Sequence, residues 1–223
     1  MRLISKRLAI DPEKVSGMST AASMENAVIG SMTYKELTVT AIVTAGIETN
    51  GGRVGDPADF YRPIEKPDKY GTINIMLFFN CDMPAGTMAR ALVTCTEAKT
   101  AAIQELLAGS NYSMGLATGS GTDQTIIVAN PESELYFEGA GKHSKLIGKT
   151  VMKAVKGSLH KQAGLNPTTQ HNVFRRLKRF GITPGSLWEL YSSATGADVK
   201  PVYLVAAENL AIEKNMLTTT SLY

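Results

Sequence analysis

Acidic residues are missing from one long stretch of this chain. Between Gly139 and Trp188 there are ten Lys or Arg and no Asp or Glu. Such a stretch either attracts an anionic partner or forms a solvated helix face balanced by acids elsewhere. Aromatics are scarce there too (Phe174, Phe180 and Trp188), which argues against a nucleic-acid partner held by stacked bases. Cysteine is limited to Cys81 and Cys95, and neither sits in a Cys-x-x-Cys pair of metal-binding type. No run approaches the roughly 18–20 apolar residues needed to cross a bilayer. The first residues, with Arg2, Lys6, Arg7, Asp11 and Glu13, lack the apolar core of a secretory signal. These absences predict a reducing, cytoplasmic setting without membrane insertion. Low-complexity linkers and internal repeats are also lacking, so a single domain over residues 1–223 is expected.

What is present is an ordinary globular composition, 43% apolar and 19% charged, with a net charge of +3. Short β-like runs occupy 2–10 and 15–20, and another strand is expected from Ala27 to Met32. Thr38–Thr44, rich in β-branched residues, reads as a strand that ends at Gly46. Pro57, Pro63 and Pro67 keep 57–69 irregular. The run 71–80 is apolar enough to predict a central strand covered on both faces. Asn74 lies inside it and needs a hydrogen-bond partner, either to brace a loop or to face a pocket. Ala85–Leu107 carries a helical stripe of Met88, Leu92, Cys95, Ala98 or Lys99, Ala102, Ile103 and Leu106. Strands are predicted at 113–118 and 125–129, then helices over 144–160 and from Pro167 through Arg179, stopped by Gly181 and Pro184. A final strand near 202–206 and a helix from Ala207 follow. Strands and helices intermix without a regular βαβ repeat. The expected fold is α+β, a single layered domain with a mixed, largely antiparallel central sheet flanked by helices.

Four polar segments, three of them glycine-rich, carry more polar chemistry than turns require: 44–57, 94–100, 118–124 and 139–144. Loops on a rigid scaffold concentrate binding and catalytic groups, so these segments are expected to wall one site. Thr118-Gly-Ser-Gly-Thr122 could cradle an anion, but the spacing of a nucleotide-binding P-loop is absent. Of the three histidines, His160 and His171 fall on helical stretches, whereas His143 precedes a helix in a glycine-rich turn. A hydrolase could use His143 with an Asp and a Ser or Thr, yet no Gly-x-Ser-x-Gly elbow names the nucleophile. His143 with Asp123, Asp56 or Glu97 matches no zinc-ligand spacing, so no metal is assigned.

In order along the chain, the segments 44–57, Gly71-Thr-Ile-Asn-Ile75, Ala89–Lys99, Ala117–Asp123 and Gly139–His143 resemble the adenosylcobinamide amidohydrolase family. The resemblance covers roughly 38–160, the family-like core. Residues 165–223 lie beyond it, as a C-terminal helical extension with a final strand. Residues 19–26 depart from the family pattern, which has paired glycines there. The resemblance implies hydrolysis of the amide between the corrin side chain and aminopropanol, releasing adenosylcobyric acid and 1-amino-2-propanol in cobamide (vitamin B12) salvage. It implies a corrinoid as substrate; nothing in the sequence calls for a cofactor, and a homo-oligomer stays open.

Amide hydrolysis needs an activated nucleophile, a polarised carbonyl and a proton for the leaving amine. His143 or Glu97 is the expected acid or base, with Asp123 positioning the imidazole or a water. Lys99 or the Asn50 amide would stabilise the oxyanion. Thr96 or Thr122 is a candidate covalent nucleophile, although direct attack by water needs fewer assumptions. Arg53 and Asp56 either contact substrate or shape their own loop. The alternatives are a corrinoid-binding protein without hydrolysis, and an amidohydrolase or acyltransferase of similar layout acting on another substrate.

Overall fold

Leu37–Ala45 (β2) carries the alternation on which the sheet is built. Leu37, Val39, Ala41 and Val43 are buried, while Thr38, Thr40 and Ile42 between them are half-buried. Successive side chains of a strand point to opposite faces, so this pattern commits one face to a core. The structure, a computed structural model, describes residues 2–57, 71–138, 143–166, 173–177 and 180–199. It places β2 between Val28–Tyr34 (β1) and Ile73–Phe79 (β4), antiparallel to both. Gln124–Val128 (β6) lies parallel to β4 on the far side. Gly51–Gly52 (β3) and Gly119–Ser120 (β5) form a separate two-residue ladder. The α+β class and the mixed, mostly antiparallel sheet are therefore observed.

Two helices seal the committed face. Ala85–Glu105 (α2) links β4 to β6, and His143–Ala163 (α3) follows β6 and packs on β1, β2 and α2. In α3 the buried set Leu146, Ile147, Thr150, Val151, Ala154, Val155, Ser158 and Leu159 recurs at helical spacing, and Lys145, Lys149 and Lys153 face outward. The basic stretch is thus, over these residues, an exposed helix face. Small residues set how closely α3 approaches: a β-carbon on Gly30 would lie 3.7 Å from that of Ala154. In α2 the buried side is Ala91, Thr94, Cys95, Ala98, Ala102 and Ile103. Leu92, expected in the stripe, is 42% exposed, because the side facing α3 is narrow and made of small residues.

Several expectations are corrected. Arg2–Arg7 is a helix (α1) rather than a β-like run, and 15–20 forms no strand. The segment meets no strand edge, so its backbone groups bond locally, as Leu8 N–H does to Ile4 O at 3.0 Å. Residues 113–118 are a loop, because Ser110 and Ser113 hydroxyls capture the N–H groups of Tyr112 and Gly115. β4 is central, but Met76 and Phe78 on its second face are only half-buried among the described residues. Pro184, read as a stop, begins a helix, Pro184–Thr195 (α5), capped by Thr183 and Ser186 and ended by Gly196 at φ 70°. Proline fits a first helical turn because no N–H is needed there. Of the helix expected over 167–179, Val173–Leu177 (α4) is observed; the rest, and the strand and helix after 200, fall outside the described residues. No helix among the described residues is long and apolar enough to cross a membrane.

Ser158 joins the layers: its hydroxyl accepts the Ala45 N–H at 2.9 Å and donates to Asn26 O at 3.1 Å, with the residue fully buried. Ser158→Ala leaves both groups without that partner. It is expected to lower unfolding free energy by about 1–3 kcal/mol in urea titrations without changing secondary structure.

Candidate functional site

β2 delivers its chain into the loop 46–57 at the same end of the sheet where β4 and β6 begin. The β3–β5 ladder ties that loop to residues 117–121. Between them opens a cleft of about 410 Å³, lined by Asn50, Gly52, Arg53, Val54, Asp56, Pro57, Lys99, Tyr112 and Thr118–Gly121. Its rim is apolar, with Val54 81% and Tyr112 52% exposed. The Tyr112 ring lies over Gly52, where a β-carbon would come within 3.1 Å of it.

The interior of the cleft is charged. Lys99 reaches from α2 to Asp123, with Nζ 2.5 Å from Oδ2, and their side chains are only 12% and 14% exposed. A desolvated carboxylate must be compensated, and Asp123 has three further donors. Oδ2 accepts the Ser120 N–H at 3.1 Å, while Oδ1 accepts the Ser120 hydroxyl at 2.6 Å and the Ile73 N–H at 3.0 Å. One carboxylate thus fixes α2, β4 and β5 together. Gly119 permits this, because a β-carbon there would collide with Asp123 Oδ2 and Lys99 Nζ.

Asp56 occupies the lip. Its Oδ2 accepts the Arg53 N–H at 2.7 Å and the Ser110 hydroxyl at 2.5 Å. The Ser110 hydroxyl, then that of Ser113, holds the Asp56 carboxyl below its ordinary value of 3.8, with desolvation opposing and the Arg53 backbone and charge adding to the effect. The Arg53 stem lies against Gly115, and the ion pairs among the described residues are Lys99–Asp123 and Lys156–Glu105. Asp56 therefore both closes its own turn and faces the cleft. Asn50 Nδ2 donates to Gly71 O, and its Oδ1 is buried without a partner among the described residues.

The expected site residues separate into groups. Asn50, Arg53, Asp56 and Lys99 line the cleft, and Asp123 sits behind Lys99. Thr122 lies just outside the lining, its hydroxyl on Gly71 O at 3.3 Å. Asn74 braces rather than faces the cleft: its Nδ2 donates to Ser19 O at 2.7 Å. Glu97 and Thr96 are exposed on another side of α2, and the Thr96 hydroxyl returns to Leu92 O at 3.0 Å. Glu97 is two positions from Lys99, so the helix turns it away. His143 is the first residue of α3, and its side chain lies outside the described residues. Leu146, one turn on, lines a pocket with Tyr34, Leu37 and Cys81 at the other end of the sheet, a strand length of roughly 20 Å from Asp123. Three of the four polar segments therefore converge; of the fourth, only 143–144 lie among the described residues, at the start of α3. Ser110, Tyr112 and Ser120 were not singled out from sequence. The Ser120-x-x-Asp123 spacing is the one local signal that could have pointed to one of them. Among the described residues no three His, Cys, Asp or Glu are grouped to hold a metal ion.

A family model described as adenosylcobinamide amidohydrolase matches residues 1–167, a wider span than the motifs alone. An uncharacterized protein of Methanocaldococcus jannaschii is 36% identical over 169 residues, covering 70% of this chain and 65% of that protein. The chain thus spans just under two-thirds of that relative's length. No solved structure matches.

Two measurements check this geometry. Gly119→Ala is expected to cost about 1–3 kcal/mol in chemical denaturation, because the ion pair must move to admit the methyl group. For Asp56, the folded carboxyl titrates below 3.8, so its contribution to stability is present above the unfolded value and is lost as pH falls through the folded one. By NMR titration, Ser110→Ala should move the Asp56 midpoint upward, toward 3.8.

Proposed function

The chain belongs to the adenosylcobinamide amidohydrolase family, and from that premise we propose that it cleaves the amide joining the aminopropanol arm to the corrin ring of adenosylcobinamide. The products are adenosylcobyric acid and 1-amino-2-propanol. The observation that carries this reading is the Lys99 ammonium, held by Asp123 in the wall of a cleft built from segments within the family match.

Hydrolysis of an amide passes through a tetrahedral species whose oxygen takes up negative charge. A preoriented cation in a partly dehydrated wall stabilises that charge with little reorganisation. Lys99 meets this need: Asp123 fixes the ammonium on one side and the cleft opens on another. The apolar rim at Val54 and Tyr112 suits a large, flat, mostly apolar ring, and the open shape suits a substrate that only partly enters. Asn50, Arg53 and Asp56 offer polar contacts to the amide arms around such a ring. Glu97 faces away from this cleft and has no part in the reading. The same carboxylate also staples α2, β4 and β5 together, a purely structural role that fits the second reading, a corrinoid-binding protein without hydrolysis.

Incubation of purified protein with adenosylcobinamide, followed by mass spectrometry of both products, separates the two. Turnover is expected, with Lys99→Met reducing kcat by about a hundredfold or more, the scale of losing an oxyanion donor. Glu97→Gln is expected to leave kcat within a few-fold. Tight binding without product would instead support the carrier.

A further inference from the structure

The hydroxyl groups near the cleft are not equivalent. Thr96 donates to its own helix, and Thr122 donates to Gly71 O outside the lining. The Thr118 oxygen, which does line the cleft, accepts the Val54 N–H at 2.9 Å. Both thiols are buried, and burial pushes Cys95 up to about 12, so neither supplies a thiolate to the cleft. Ser120 differs from all of these. It lines the cleft, it is half-buried rather than enclosed, and its hydroxyl donates to Asp123 Oδ1 at 2.6 Å. Among the described residues its oxygen otherwise accepts only the Thr122 N–H, at a long 3.4 Å. The other oxygen of the same carboxylate holds the Lys99 ammonium. A nucleophile hydrogen-bonded to a base is the arrangement that acyl transfer uses on unrelated folds; here the acceptor is a carboxylate with a cation on its other oxygen.

We propose that Ser120 is the covalent nucleophile of this cleft, with Asp123 receiving its proton and Lys99 facing the developing oxyanion. The inference rests on the cleft being the hydrolytic site proposed above. Ser120 Oγ attacks the amide carbon, the new C–O bond forms as the carbonyl π pair moves to oxygen, and the hydroxyl proton passes to Asp123. Collapse of the tetrahedral species breaks the C–N bond, and the Asp123 proton leaves with the amine. The remaining Ser120 ester is opened by water, whose proton goes first to Asp123 and then to the departing Ser120 oxygen. The net change is amide plus water to carboxylic acid plus amine. Loop 118–123 therefore does more than staple β5: its serine and aspartate act as one unit, and the glycine before the serine admits the lysine.

The first arm of the test needs no corrinoid. Wild-type protein is mixed with p-nitrophenyl acetate, quenched in acid within one turnover and mapped by peptide mass spectrometry. The expected result is a single acetyl group on Ser120, absent in Ser120→Ala and present, as a thioester, in Ser120→Cys. With adenosylcobinamide, Ser120→Ala should lose at least about a thousandfold in kcat while binding the substrate as wild type does. Acetylation elsewhere, or none, in protein that does hydrolyse adenosylcobinamide overturns the nucleophile and leaves the substrate reading standing. Ser120 acetylation in protein that ignores adenosylcobinamide upholds the nucleophile and sinks the substrate reading. Ser120→Ala that keeps activity within tenfold of wild type also overturns the assignment.

Discussion

The ion pair between Lys99 and Asp123 is the constraint around which the rest of the site is arranged. Taking either charge out of water alone costs several kcal/mol, and the pair is tolerable only with its remaining hydrogen-bonding capacity used. That requirement explains its surroundings. Ser120 supplies two donors and Ile73 a third, and Gly119 carries no side chain because the pair occupies the space a β-carbon would need. The first residue of β4, the short strand β5 and the middle of α2 are held in one register by a single carboxylate. Replacing a buried ion pair by apolar groups is often neutral, so the weight of this pair lies in the geometry it sets among α2, β4 and β5.

The scaffold makes that geometry reproducible. α2 must pass close to α3 and across the sheet for Lys99 to reach the β5 loop. Ala91, Cys95, Ala98 and Ala102 keep its inner side thin enough. α3 is brought close to the sheet by Gly30 and anchored to the end of β2 by Ser158. Since β2 then runs directly into 46–57, the same hydrogen bond that fixes α3 also fixes where the cleft wall begins. The cleft lies at the amino ends of the parallel pair β4 and β6. Ligands of open α/β sheets usually sit at the carboxyl ends. Here only one pair is parallel, and the walls come from the loop leaving antiparallel β2 and from the β3–β5 ladder.

Much of the fold was legible because it rests on local periodicity. β-Branched and continuous apolar runs located β1, β2 and β4, and the 3.6-residue stripes located α2 and α3 to within a few residues. The failures share a cause. At 2–10 and 113–118 the residues favour strands, but strands form only beside a partner edge, which local sequence does not encode. Serine hydroxyls at 110 and 113 offered the backbone a nearer partner, and a loop resulted. Pro184 was read as an ending because the same residue that breaks a helix interior also suits its first turn.

For the site, sequence alone determined the inventory: which polar segments exist, that Asn50, Arg53, Asp56, Lys99 and Asp123 lie on them, and the family to which their order points. Residue type and order survive any arrangement of the chain. Only the tertiary structure decided which of these meet. It paired Lys99 with Asp123 across 24 residues, turned Glu97 outward, started α3 and His143 at the far end of the sheet, brought Tyr112 and Ser120 into the cleft and set Ser110 behind Asp56. Convergence depends on strand register and helix packing, which are set by long-range contacts between residues that carry no local mark of each other.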